Sequence, residues 1–223
     1  MKRKIFIEFI FLILLGALTS LSLPPLNYII VNFFTLSLFY IFLQKKFDLY
    51  KNKKIFFLYG WLFGFGYFVS NLYWISISLT FDENFNFLIP FTIIFLPGYL
   101  AIFYGLVAYL FAILKPKKNL SSFFIFSLIF GIIEFIRGSI LSGFPWNLIA
   151  YSFSNQLEIL NITSIIGTYS FNLFCISLFI SPSIFILRDN KKDISVCLIF
   201  LITTVSFYLI GSQNLEKFNK ELT

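Results

Sequence analysis

The sequence predicts an all-α fold, a polytopic membrane bundle of about seven transmembrane helices. Three observations predict it: an apolar composition, a recurrence of apolar segments long enough to cross a bilayer, and basic residues confined to alternate connections. Of the 223 residues, 59% are hydrophobic and 12% charged, against about 25% charged in an ordinary soluble domain. The mean hydropathy is +0.89. The 34 phenylalanines are spread along the chain, so most must face lipid or a neighbouring helix. The formal charge of +7 sits in short runs between apolar segments, which points to membrane topology and away from nucleic acid as a partner.

A bilayer core needs about 20 apolar residues per helix. Segments of that kind are expected at residues 5–23, 28–43, 55–79, 88–114, 121–141, 160–187 and 194–211. The first follows Met1-Lys2-Arg3-Lys4 and ends in Ala17-Leu18-Thr19-Ser20, which also reads as a signal peptide. Pro24-Pro25 turns straight into the next segment, and this favours an uncleaved first helix. The second segment is the shortest. The third contains Gly60-Trp61-Leu62-Phe63-Gly64-Phe65-Gly66, a small-residue pattern that lets helix backbones approach closely in lipid. Pro97-Gly98 interrupts the fourth and predicts a kink. The fifth ends in Glu134 and Arg137. The stretch 138–159 that follows is too short to bury a core of its own and is expected at the outer membrane boundary. The chain thus reads as one transmembrane domain, 1–211, and a short extracytoplasmic tail, 212–223.

Orientation follows from the 17 Lys and Arg residues. Lys2, Arg3 and Lys4 precede the first segment. Lys45, Lys46, Lys51, Lys53 and Lys54 join the second and third; Lys115, Lys117 and Lys118 join the fourth and fifth; Arg188, Lys191 and Lys192 join the sixth and seventh. Only Arg137, Lys217 and Lys220 are left for the opposite side. A positive-inside arrangement therefore predicts a cytoplasmic N-terminus, an extracytoplasmic C-terminus and an outer Asp82-Glu83 turn.

Glu134 and Arg137 are the strongest candidates for a role beyond spanning. An intramembrane ion costs on the order of 3 kcal/mol, and i,i+3 spacing places the two on one helix face, where they should pair. The pair reads either as a structural clamp between this helix and the following loop or as a polar anchor beneath a lipid headgroup site. Ser142-Gly143-Phe144-Pro145-Trp146-Asn147 follows directly and suits a re-entrant or interfacial loop, with Phe144 and Trp146 either anchoring it or touching a lipid substrate. Asn71, Tyr73 and Trp74 approach the outer end of the third helix, as an aromatic belt or a substrate contact.

No histidine is present, which excludes His-based acid-base catalysis and His metal sites. Cys175 and Cys197 fall inside apolar segments, where a thiol acts as a small hydrophobe. There is no metal-spaced cluster, and no Ser or Cys nucleophile has a plausible base nearby. Neither a cofactor nor a catalytic residue is expected. A single intramembrane ion pair and the lack of an inverted repeat argue against a transporter.

Several segments together resemble the membrane portion of bacterial apolipoprotein N-acyltransferase. The most specific are Glu134-Phe135-Ile136-Arg137, Gly143-Phe144-Pro145-Trp146 and Ile166-Gly167-Thr168-Tyr169-Ser170-Phe171. Leu23-Pro24-Pro25-Leu26-Asn27, the Gly60 to Gly66 run leading to Trp74-Ile75, and Leu96-Pro97-Gly98-Tyr99 support them in the family's order. The resemblance implies a multi-pass protein of the bacterial cytoplasmic (inner) membrane. It implies a reaction in which an acyl chain passes from a phospholipid, by way of an enzyme thioester, to the free amino group of an S-diacylglyceryl-cysteine lipoprotein. In the family a nitrilase-like domain with a Glu-Lys-Cys triad carries that chemistry, and an eighth helix follows it. The tail after the seventh segment here holds Glu216, Lys217, Lys220 and Glu221 but no Cys. Two readings follow. In the first, this is the membrane half of an acyltransferase, inactive without a separately encoded catalytic domain, with Trp146, Phe144, Glu134, Arg137 and Trp74 facing the phospholipid and diacylated lipoprotein substrates. In the second, it is a non-enzymatic membrane scaffold or lipid-binding remnant.

Overall fold

A computed structural model describes residues 2–140 and 143–221. Met1 and Ser142, named above, lie outside the described residues, as do positions 141, 222 and 223 and the side chains of Lys2, Arg3, Lys4 and Glu221. All regular structure among the described residues is helical. Seven long helices carry it: α1 (Lys2–Ser20), α2 (Ile30–Phe47), α3 (Lys54–Leu72), α4 (Ile89–Leu114), α5 (Asn119–Ser139), α6 (Thr168–Ile180) and α7 (Ser195–Glu221). A 3-10 turn, Ser181–Ser183, and a short α-helical turn, Ile184–Leu187, extend α6. Five continuous helical stretches are long and apolar enough to cross a membrane: Lys54–Phe81, Glu83–Leu114, Asn119–Ser139, Thr168–Leu187 and Lys191–Phe218. In α1 the described apolar stretch is the shorter Ile5–Ser20, and in α2 Asn32, Gln44, Lys45 and Lys46 lower the hydropathy.

Three expected boundaries shift, each for a local reason. The third segment is α-helical only to Leu72 and continues as 3-10 turns through Phe81. The sixth does not begin at 160: the short helices Leu157–Leu160 and Thr163–Ile166 come first, and Gly167, at φ +80°, breaks the chain direction before α6 starts. The seventh does not stop at 211. Gly211 packs so closely on the backbone of Glu158 that a Cβ there would collide with it, and Asn214 Nδ2 donates to Asn161 Oδ1 at 2.8 Å, so the helix runs on to Glu221.

Helix α3 occupies the middle of the bundle, packed on α1 and α4 more extensively than any other helix pair. Its glycines permit this. A Cβ at Gly66 would collide with the carbonyl of Ile13 in α1, and one at Gly60 with that of Tyr104 in α4, so the small-residue pattern brings backbones into contact. Phe39 of α2 stacks on Phe63 of α3 with ring centroids 4.1 Å apart, and Tyr104 meets Phe130 of α5 edge-on. Beside Pro97 within α4, the indole of Trp61 donates to the carbonyl of Gly98 at 3.0 Å, giving a polar backbone atom there a partner from the next helix.

A second ion pair lies between helices. Lys46 of α2 pairs with Glu8 of α1, and Tyr59 of α3 donates to Glu8 Oε2 at 3.2 Å. This second pair ties three helices together.

Candidate functional site

The last two turns of α5 carry the first pair. Three residues apart, Glu134 and Arg137 fall on one face and are 0% and 1% exposed. Arg137 donates from Nε to Glu134 Oε1 at 3.1 Å and from Nη2 to Oε2 at 2.8 Å. Such a bidentate fork is the strongest geometry available to two side-chain ions. The third guanidinium nitrogen turns to the loop: Nη1 donates to the carbonyl of Phe144 at 2.7 Å and to that of Trp146 at 3.0 Å. The ring of Phe68 in α3 lies 5.4 Å from the guanidinium carbon. Buried in this way, the cation is compensated by a carboxylate, two carbonyls and a ring face.

The loop adopts the shape these bonds require. Gly143 turns at φ +71°, which glycine accepts without strain, so that its own N–H donates to Ile140 and the N–H of Phe144 donates back to the carbonyl of Arg137 at 3.2 Å. Asn147 takes φ +63°, a left-handed conformation that Asn tolerates better than most residues. Tyr67 of α3 donates to the Asn147 carbonyl at 2.8 Å. Further on, the side-chain oxygen of buried Asn172 in α6 accepts the N–H of Ala150 at 2.9 Å.

The outward face of this frame is aromatic. Trp146 stacks on Trp74 with centroids 5.6 Å apart and planes at 12°, and Phe144 lies 5.8 Å from Trp146. Both indoles are about half exposed, at 51% and 45%. A cleft of about 220 Å³ lies between α4 and the loop, lined by residues including Leu96, Tyr99, Phe103, Arg137 and Phe144. A second groove of about 320 Å³ has Trp74, Asn71 and Pro24-Pro25 in its wall. All five residues singled out from the sequence, Trp74, Glu134, Arg137, Phe144 and Trp146, therefore meet at one place.

Chemically, the arrangement offers an apolar, amphipathic surface on a rigid polar support. Both oxygens of Glu134 are engaged by Arg137. Cys175 is fully buried, and the Cys197 thiol donates to the carbonyl of Ser181. No cluster of His, Cys, Asp and Glu able to hold a metal occurs among the described residues.

A family model described as the apolipoprotein N-acyltransferase N-terminal domain matches residues 15–181. The chain belongs to this family. Apolipoprotein N-acyltransferase of Rhodopseudomonas palustris is 36% identical over 179 residues, which cover 78% of this chain and 33% of that protein. The protein of the same name from Rickettsia prowazekii is 35% identical over 197 residues, 86% of this chain and 38% of the relative. For Allorhizobium ampelinum the figures are 31% over 183 residues, 79% and 34%. The chain thus spans about a third of the length of the curated relatives it matches. The whole aromatic site falls within the stretch that matches the apolipoprotein N-acyltransferase domain.

Tyr67, Phe68, Asn147 and Asn172 also build the site, although sequence reasoning did not select them. Asn172 gave a faint signal as a polar residue inside an apolar helix. Tyr67 gave none, since a tyrosine near the end of a membrane helix reads as part of an aromatic belt.

Proposed function

We propose that this chain is the membrane domain of an apolipoprotein N-acyltransferase-like protein of the bacterial cytoplasmic membrane. Its role is to hold the phospholipid acyl donor and the diacylated lipoprotein acceptor while a nitrilase-like catalytic domain transfers the acyl chain to the lipoprotein's terminal amino group. The observation that carries this reading is the family match over residues 15–181, which includes the buried pair and its loop. Within the site, Glu134 and Arg137 set the loop, and Trp146, Phe144 and Trp74 present the surface that acyl chains or headgroups contact.

The proposed topology has seven crossings, a cytoplasmic N-terminus and an extracytoplasmic C-terminus. Contacts between connections support it. At one rim Lys53 donates to the carbonyl of Phe47 and lies over its ring, Lys115 lies over the same ring, and Asn119 bonds Asp189. At the other rim Asn27 accepts from Ser154 and Asn161 from Asn214. Alternate connections thus gather at opposite ends, and the lysine-rich ones share an end.

The test is expression of this chain with and without a nitrilase-like polypeptide carrying a Glu, Lys and Cys triad, followed by assay of N-acylation of a diacylated lipopeptide. Acylation that needs both polypeptides supports the reading. Failure of the two to co-purify, with no acylation, overturns it.

A further inference from the structure

The Arg137 fork holds one side of the aromatic loop, the carbonyls of Phe144 and Trp146, and it does so from α5. Trp74, on which Trp146 stacks, belongs to the continuation of α3. A loop fixed to α5 alone would leave the indole pair dependent on how α3 and α5 sit relative to each other. The Tyr67 hydroxyl supplies the missing connection, because it donates from α3 to the Asn147 carbonyl, one residue beyond Trp146. Tyr67 in α3 and Trp74 in its 3-10 continuation are seven residues apart, about two helical turns, so one side of this continuous stretch bears both the strut and the stacking platform. The ring of Tyr67 is itself immobilised: it is fully buried, stacked on Tyr104 at 5.7 Å and edge-on to Phe68 at 5.1 Å. Its hydroxyl can therefore act only along one direction, and the left-handed turn at Asn147 aims the carbonyl at it.

We propose that Tyr67 is a positioning residue whose hydroxyl docks the aromatic loop onto α3 and so sets the Trp146–Trp74 pair that faces the lipid substrates. The role in substrate handling rests on the function proposed above, whereas the docking does not. One hydrogen bond at this site shifts the docked-to-undocked ratio of the loop by about 2- to 10-fold.

The experiment uses the full chain in detergent, labelled with 5-fluorotryptophan. Its three tryptophans give three fluorine resonances, assigned by Trp61→Phe, Trp74→Phe and Trp146→Phe. In Tyr67→Phe the Trp74 and Trp146 resonances should move toward the positions each takes when its stacking partner is replaced, while Trp61, stacked on Phe65 elsewhere in α3, stays fixed. Tyr104→Phe removes a buried hydroxyl that has no hydrogen-bond partner and should move neither resonance. Should Tyr67→Phe fail to fold, Asn147→Ala disfavours the left-handed turn from the loop side and should give the same shift. Unmoved Trp74 and Trp146 resonances in a folded Tyr67→Phe protein, or equal shifts in Tyr104→Phe, overturn the proposal. Because the readout needs no acyl transfer, its failure is distinct from failure of the proposed function.

Discussion

Two ion pairs among the described residues do different work. Glu8 and Lys46 are 38 residues apart, about one-tenth exposed, and bridge α1, α2 and, through Tyr59, α3. Glu134 and Arg137 are three residues apart, wholly buried, and leave one guanidinium nitrogen for a loop. A pair formed within one helix does little to choose which helices meet. What it adds is a rigid charged head at a helix end, and Arg, unlike Lys, has enough donors to bind a carboxylate and two carbonyls at once. The first pair therefore assembles helices, and the second shapes the surface beside them.

The largest effect expected from breaking this contrast is in Arg137→Ala, which strands the buried Glu134 carboxylate without its partner. Stability should fall by about 3–5 kcal/mol, read as the midpoint of unfolding in detergent. Replacing both ions together, Glu134→Leu with Arg137→Met, should restore most of that loss, because no uncompensated charge is left. The loop should nevertheless stay loose in the double variant, seen as faster amide exchange over residues 143–150, since the carbonyls of Phe144 and Trp146 have lost their donor. If exchange there is unchanged, the pair is a clamp for α5 alone.

Glu8→Ala ranks next, at about 1.5–3 kcal/mol, because Lys46 keeps partial access to solvent. It should loosen α1 against α2 and α3 and leave exchange in the 143–150 loop untouched. The smallest effect is in Trp146→Ala, about 1 kcal/mol from the lost indole pair. Its consequence should show instead in the concentration of lipopeptide needed for half-maximal acylation.

The contrast also accounts for what was legible in the sequence. A local pair can be read from spacing alone: i,i+3 on an apolar helix leaves Glu134 and Arg137 little choice of partner. Gly143, Pro145 and Trp146 marked the loop by the same local logic. The glycines at 60, 64 and 66 announced a tightly packed helix. Glu8 with Lys46, and Tyr67 with Asn147, are pairings across the bundle, and nothing in either residue's neighbourhood names the other. Hydropathy likewise located the five helical stretches long and apolar enough to cross a membrane but could not tell the central α3 from α7, whose apolar stretch is largely exposed. The α7 stretch is the more apolar of the two, yet only packing separates a helix that meets other helices from one left facing lipid. The boundary at Gly167 and the continuation past Gly211 escaped for a related reason, since each depends on a backbone conformation or contact that composition does not record.

The account depends on Arg137 acting as a fork that places the aromatic loop. The most direct measurement is N-acylation of a diacylated lipopeptide by the chain carrying Arg137→Lys, combined with a nitrilase-like catalytic polypeptide. Lysine preserves the charge opposite Glu134 but cannot also hold the carbonyls of Phe144 and Trp146 in the same geometry. The expected result is a protein that folds and pairs with its partner while acylation falls about 10-fold or more, as positional errors near 1 Å do elsewhere. Full acylation by that variant would contradict the claim.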